Sequence, residues 1–205
     1  MIDNNSHTAL WPLKPHRPHL SFIIYYLSFI ISIPFLSSCD KTEQTYSNHT
    51  ARFSFSGTNL VPQLNTALNN PGQFCTIIAR NNQYIFHSPG IREDHVYERT
   101  ELDKKAGYVL GLSGLIVGTP IIAEQLSTQA SVVCFDLCCP NCYEELSITR
   151  NLTLYEGQRA QCERCQRLYD LNTQGIISKG DQGKSLYRYR INYYPTGNTF
   201  TVNNY

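Results

Sequence analysis

From about residue 51 onward the chain is built of short apolar runs separated by turn residues, several of them alternating with a period of two. Phe74-Cys75-Thr76-Ile77-Ile78-Ala79 behind Pro71-Gly72, Tyr84-Ile85-Phe86 behind Asn81-Asn82, and Val132-Val133-Cys134-Phe135 each read as a strand. Leu146, Ile148, Leu152 and Leu154 alternate with Ser147, Thr149, Asn151 and Thr153, which predicts a half-buried strand ended at Glu156-Gly157. Tyr187, Tyr189, Ile191 and Tyr193, followed by Phe200 and Val202 beyond a Thr196-Gly197-Asn198 turn, predict a C-terminal hairpin. One short helix is expected over 61–68, ahead of Asn70-Pro71. Gly111 to Gly118 lacks the Lys-Ser/Thr ending of a phosphate loop and reads as a glycine-rich strand and turn. The pattern is that of an all-β domain.

The first forty residues follow another pattern. Lys14 and Arg17 precede an uncharged apolar run over 20–35, which ends in Leu36-Ser37-Ser38-Cys39. That ending resembles the lipobox of bacterial lipoproteins, in which the signal is cut ahead of the cysteine and the cysteine is acylated. The resemblance implies a signal peptide over 1–38, lipidation at Cys39, and a cell-envelope, extracytoplasmic protein with a lipid anchor in the membrane. The alternative is a single transmembrane anchor, for which about 17 apolar residues is the lower limit. The polar stretch after Cys39 suggests a flexible tether, placed at 39–55. The folded domain is then assigned to 56–205. No twin-arginine pair precedes the apolar run, so export in the unfolded state is expected, with any metal loaded outside.

Charge names no partner. The 17 basic and 16 acidic residues nearly cancel and are interspersed, which excludes the basic footprint of a nucleic-acid-binding domain. No Ser-His-Asp, Cys-His or paired-carboxylate constellation stands out, so no catalytic residue is nominated and no catalysis is expected.

The cysteines carry the chemistry. Of the eight, Cys139-Pro140-Asn141-Cys142 and Cys162-Glu163-Arg164-Cys165 form two pairs with 19 residues between them. A two-residue gap lets the chain turn back so that both thiolates of a pair face one ion, and two such knuckles complete a tetrahedron. Cys139, Cys142, Cys162 and Cys165 are therefore the predicted metal ligands. Cys75 and Cys134 read as buried thiols, with a Cys75–Cys134 bridge as the alternative, and Cys138 should point away from Cys139. Glu144, Glu145, Arg159, Glu163, Arg164 and Arg167 read as a solvated face, or else as a rim or hydrogen-bond donors around the thiolates. Asp136 and Asp170 are expected to bond loop backbone.

The second pair runs on into Tyr169-Asp170-Leu171-Asn172-Thr173-Gln174-Gly175, and here the sequence resembles the Rieske ferredoxin family. That family joins a Cys-x-His loop to a Cys-x-x-His loop followed by a similar aromatic-Asp-Leu tail. Cys139-Pro140 matches the opening of the first loop and Cys162 the cysteine of the second. The departure lies in the histidine positions, which hold Asn141 and Cys165, and all six histidines of the chain fall at or before His95. The mixed histidine and cysteine ligation of a Rieske cluster is thereby excluded. The resemblance implies a Rieske-like antiparallel β-sandwich with two cysteine-bearing knuckle loops and an all-cysteine site, similar to the Rieske-like lipoproteins of the Bacteroidetes. Structural zinc, a [2Fe-2S] cluster for electron transfer, a single iron, and disulfides in a partner-binding scaffold all remain open as the state of the four sulfurs.

Overall fold

The computed structural model describes residues 45–122 and 131–204. The apolar run over 20–35 and the lipidation site Cys39 lie outside the described residues. None of the described helices is long and apolar enough to cross a membrane.

The described chain is mostly strand, and every strand pairing is antiparallel. In order the elements are β1 (Ala51–Ser56), α1 (Pro62–Asn69), β2 (Gln73–Arg80), β3 (Gln83–Ser88), β4 (Ile91–Glu98), α2 (Glu101–Ala106), β5 (Leu115–Thr119), β6 (Val133–Asp136), α3 (Pro140–Leu146), β7 (Thr153–Tyr155), β8 (Arg159–Gln161), β9 (Leu168–Asp170), β10 (Ile176–Lys179), β11 (Arg188–Tyr189), β12 (Ile191–Tyr194) and β13 (Thr199–Asn204). They form a six-stranded sheet of order β11-β6-β5-β2-β3-β4, a four-stranded sheet β10-β9-β8-β7, and a three-stranded sheet β1-β13-β12.

The strands β2, β5 and β6 of the large sheet are buried on both faces, and their period-two alternation decides which residue goes where. Cys75, Ile77, Leu115, Val117 and Cys134 pack with α1 and with Phe53, Phe55, Phe200 and Val202 of the three-stranded sheet. Their neighbours Phe74, Ile116, Val133 and Phe135 point the other way, onto Leu154, Ala160 and Tyr169 of the four-stranded sheet and onto Cys139, Cys142 and Cys162. The strands predicted around 74–79, 84–86 and 132–135 form, as do the helix near 61–68 and the strand and turn over 111–118. Pro62 opens α1 where its missing N–H costs nothing, and the Thr119 hydroxyl donates to the carbonyls of Ala67 and Leu68 at its end.

Three expectations need correction. The alternation from Leu146 to Leu154 is not one strand. Leu146 ends α3, Ser147 follows with φ 53°, and only Thr153–Tyr155 is strand. Leu146 is exposed while Leu152 and Leu154 are buried, so the regular spacing joins residues of unrelated roles. The C-terminal hairpin forms between β12 and β13, but its first segment is split at Arg190: β11 pairs with β6 of the large sheet and β12 with β13. The tether placed over 39–55 overlaps β1, and the residues just before β1 are packed as well. The backbone N–H of Ser47 donates to Arg188, and Asn204 donates to the carbonyls of Ser47 and His49. The His49 ring packs edge-on against Tyr143 and Tyr187. Helix α2 was not signalled by an apolar period. It is held by a capping box in which Thr100 and Asp103 bond each other's backbone N–H groups.

Candidate metal centre

Both knuckles are set by backbone hydrogen bonds. Strand β6 delivers Leu137 and Cys138 to a short ladder with 150–152, in which Cys139 N–H donates to Arg150 and Leu152 N–H to Leu137. Cys139 then caps α3 with Pro140 in its first turn, so Cys142 returns one turn later on the same side. The second knuckle is the β8-β9 hairpin turn. Cys162 N–H donates to Arg167 and Gln166 N–H to Cys162, and Gln166 takes φ 58° to close the turn.

The four sulfurs converge. Cys139 Sγ lies 3.6 Å from Cys165 Sγ and Cys142 Sγ 3.6 Å from Cys162 Sγ, and all four lie within 4.8 Å of one another. An ion at about 2.3 Å from four tetrahedral thiolates sets them about 3.8 Å apart, so the cluster has the dimensions of one metal ion's shell. Disulfide sulfurs stand at about 2.05 Å, and all seven described cysteines are free. Cys139, Cys142 and Cys162 are buried and Cys165 is partly exposed.

Two of the four thiols resist ionisation in the absence of a cation. Burial raises Cys139 and Cys142 above the ordinary thiol value, and the neighbouring sulfurs add to the effect. Burial opposes ionisation of Cys165 too, but the backbone N–H and guanidinium of Arg167 override it and hold this thiol below the ordinary value. A bound cation supplies the missing compensation, and the site can hold a metal ion through four thiolates.

Several residues around the sulfurs gain roles that spacing alone does not show. Arg167 is 7% exposed rather than part of a solvated face. Besides Cys165, its guanidinium meets Glu145 at 3.2 Å and donates to the carbonyls of Asp181 and Gln182. Tyr169 is fully buried with its hydroxyl 3.3 Å from Cys139 Sγ, and that hydroxyl accepts from Asn141 at 2.9 Å. Asn141, buried between the two cysteines of the first knuckle in sequence, also ties this site to residue 184. Its amide donates to the Lys184 carbonyl and its oxygen accepts from Lys184 N–H. With Glu144 bonding the Lys184 ammonium and the Tyr187 hydroxyl, these contacts fasten residues 181–187 beside the knuckles as a third wall. No motif announces that wall, because most of its contacts are to backbone. Glu144, Glu145, Arg159, Glu163 and Arg164 are exposed.

Asp136 and Asp170 bond loop backbone as expected. Buried Asp136 accepts from Leu112 N–H, Cys138 N–H and the Tyr189 hydroxyl, each at 2.6 Å, and burial raises its carboxyl pKa. Asp170 accepts from Asn172 N–H. Cys75 and Cys134 both register with Val117 from opposite sides. Two strand spacings, about 10 Å, separate them, which is beyond the reach of a disulfide. Both are buried thiols, and Cys138, also buried, has its thiol pushed up to about 11 by that burial.

Fold and site together define an antiparallel β domain carrying a four-cysteine centre on two knuckles. No known protein-family model matches the chain, and no curated protein is significantly similar to it.

Proposed function

We propose that the chain is a lipid-anchored, extracytoplasmic protein whose Rieske-like domain holds one zinc ion through Cys139, Cys142, Cys162 and Cys165 as a structural centre, without catalysis. The observation that carries the metal reading is the gathering of the four sulfurs within 4.8 Å. In a [2Fe-2S] cluster each iron takes two of the four thiolates, and bridging sulfides push the two pairs apart. The compact set suits a single ion better, and a closed shell of four thiolates leaves no open position for a substrate. What supports the anchor is the apolar run ending in Leu36-Ser37-Ser38-Cys39. Holding two knuckles from separate hairpins, the ion would contribute its binding free energy to folding.

Cobalt(II) exchanged into the purified chain tests the metal reading. A tetrahedral four-thiolate site gives intense visible bands that vanish in a Cys142→Ser, Cys162→Ser double variant, and an octahedral aqueous spectrum contradicts it. A brown protein as isolated, bleached by dithionite, would instead establish the iron–sulfur reading. For the anchor, Cys39→Ser should move the chain from the membrane fraction to the soluble one; retention in the membrane argues for a transmembrane segment.

A further inference from the structure

The four sulfurs are not equally accessible. Cys139, Cys142 and Cys162 are at most 1% exposed, whereas Cys165 reaches the surface at the tip of the β8-β9 turn. The 3.6 Å approaches run between the knuckles, Cys139 to Cys165 and Cys142 to Cys162. Each of these pairs stands about 1.5 Å beyond the disulfide bond length of about 2.05 Å.

We propose that Cys165 is a modification site for peroxide-class oxidants, and that its oxidation joins it to Cys139 and expels the metal ion. This rests on the metal reading above. The Cys165 thiolate attacks one oxygen of hydrogen peroxide, the O–O bond breaks, and hydroxide leaves, giving a sulfenic acid. Cys139 thiolate then attacks that sulfur, the S–O bond breaks, and a second hydroxide leaves as the S–S bond forms. Two thiolates have lost two electrons and one peroxide has gained them. The ion is left with two ligands in place of four thiolates and dissociates. Cys142 and Cys162, now relieved of the ion, are the second pair and consume a second peroxide. Cys138, buried with its sulfur 3.7 Å from the Cys139 carbonyl, takes no part.

The full chain is purified under argon, and its zinc is measured first; absence of zinc at this stage refutes the metal reading and not the pairing. Hydrogen peroxide is then added in steps with a chromophoric zinc chelator present, and the disulfides are mapped by mass spectrometry after alkylation. Loss of the full zinc content with a Cys139–Cys165 cross-link as the first product is expected, and Cys138→Ser should release zinc at the wild-type rate. In zinc-free chain the same first cross-link should appear. A first disulfide within one knuckle, one that includes Cys138, or oxidation that leaves zinc bound overturns the proposal.

Discussion

Replacing Asn141 with alanine tests the third wall of the centre. Asn141 is 4% exposed, and its side chain makes three hydrogen bonds at 2.9 Å: to the Tyr169 hydroxyl, to the Lys184 carbonyl, and from the Lys184 N–H. At a net of about 1 kcal/mol each these are worth about 3 kcal/mol. Alanine in the first turn of α3 returns about 0.5 kcal/mol through helix propensity, leaving an expected loss of about 2.5 kcal/mol. Gly183 sharpens the test, because a Cβ built there would fall on the Asn141 side-chain oxygen. Gly183→Ala should therefore destabilise the wild type, yet cost little when Asn141 is already alanine, a coupling that a double-mutant cycle reads directly. Urea unfolding of the metal-loaded single and double variants supplies the four free energies. The reasoning is refuted if Asn141→Ala lies within about 0.5 kcal/mol of wild type, or if Gly183→Ala costs the same in both backgrounds.

Other perturbations separate the roles of the remaining groups. Arg167→Ala should lower metal affinity by about 10–100-fold in a chelator competition, as removal of a group that bonds a ligand does; unchanged affinity would make Arg167 a wall residue only. In metal-free protein, burial raises the Cys75 and Cys134 thiols above their ordinary 9.0, so the unfolded chain gives up these protons first. The stability they contribute is full below pH 9.0 and declines as pH rises beyond it, which a falling urea midpoint would register and a flat one would contradict. Metal loading has the opposite dependence, because each thiol must give up a proton to bind as thiolate, so acidification should release the ion. Gly111→Ala should cost about 2 kcal/mol or more in thermal unfolding, since Gly111 takes φ 65° and an added Cβ would meet the Asp136 carboxylate and the Tyr189 ring; a wild-type midpoint would show that the turn relaxes freely.

The gathering of the four cysteines was legible because a Cys-x-x-Cys spacing states a local turn, and local turns survive into the fold: Cys139 caps a helix and Cys162 opens a hairpin turn. The alternation of Phe74, Cys75, Ile116, Val117, Val133 and Cys134 was legible as strand for the same reason. That both faces of these strands are buried was not, since the second cover is supplied by β7 to β9, far away in the chain. The roles of Arg167, Tyr169 and Asn141 depend on segments that meet only once the domain is folded. Arg167 looked like a surface charge because nothing in its neighbourhood predicts the carbonyls of Asp181 and Gln182 that bury it. The false strand over 146–154 arose where apolar spacing was regular by coincidence and Ser147, at φ 53°, gave no glycine signal for the end of α3.

The central claim is that four thiolates enclose a single zinc ion, and the metal content of the purified full chain, measured together with acid-labile sulfide, tests it most directly. One zinc per chain, no sulfide and a colourless protein are expected. Iron with sulfide in equal amount, or a metal-free chain whose Cys139, Cys142, Cys162 and Cys165 are joined in disulfides as isolated, would contradict it.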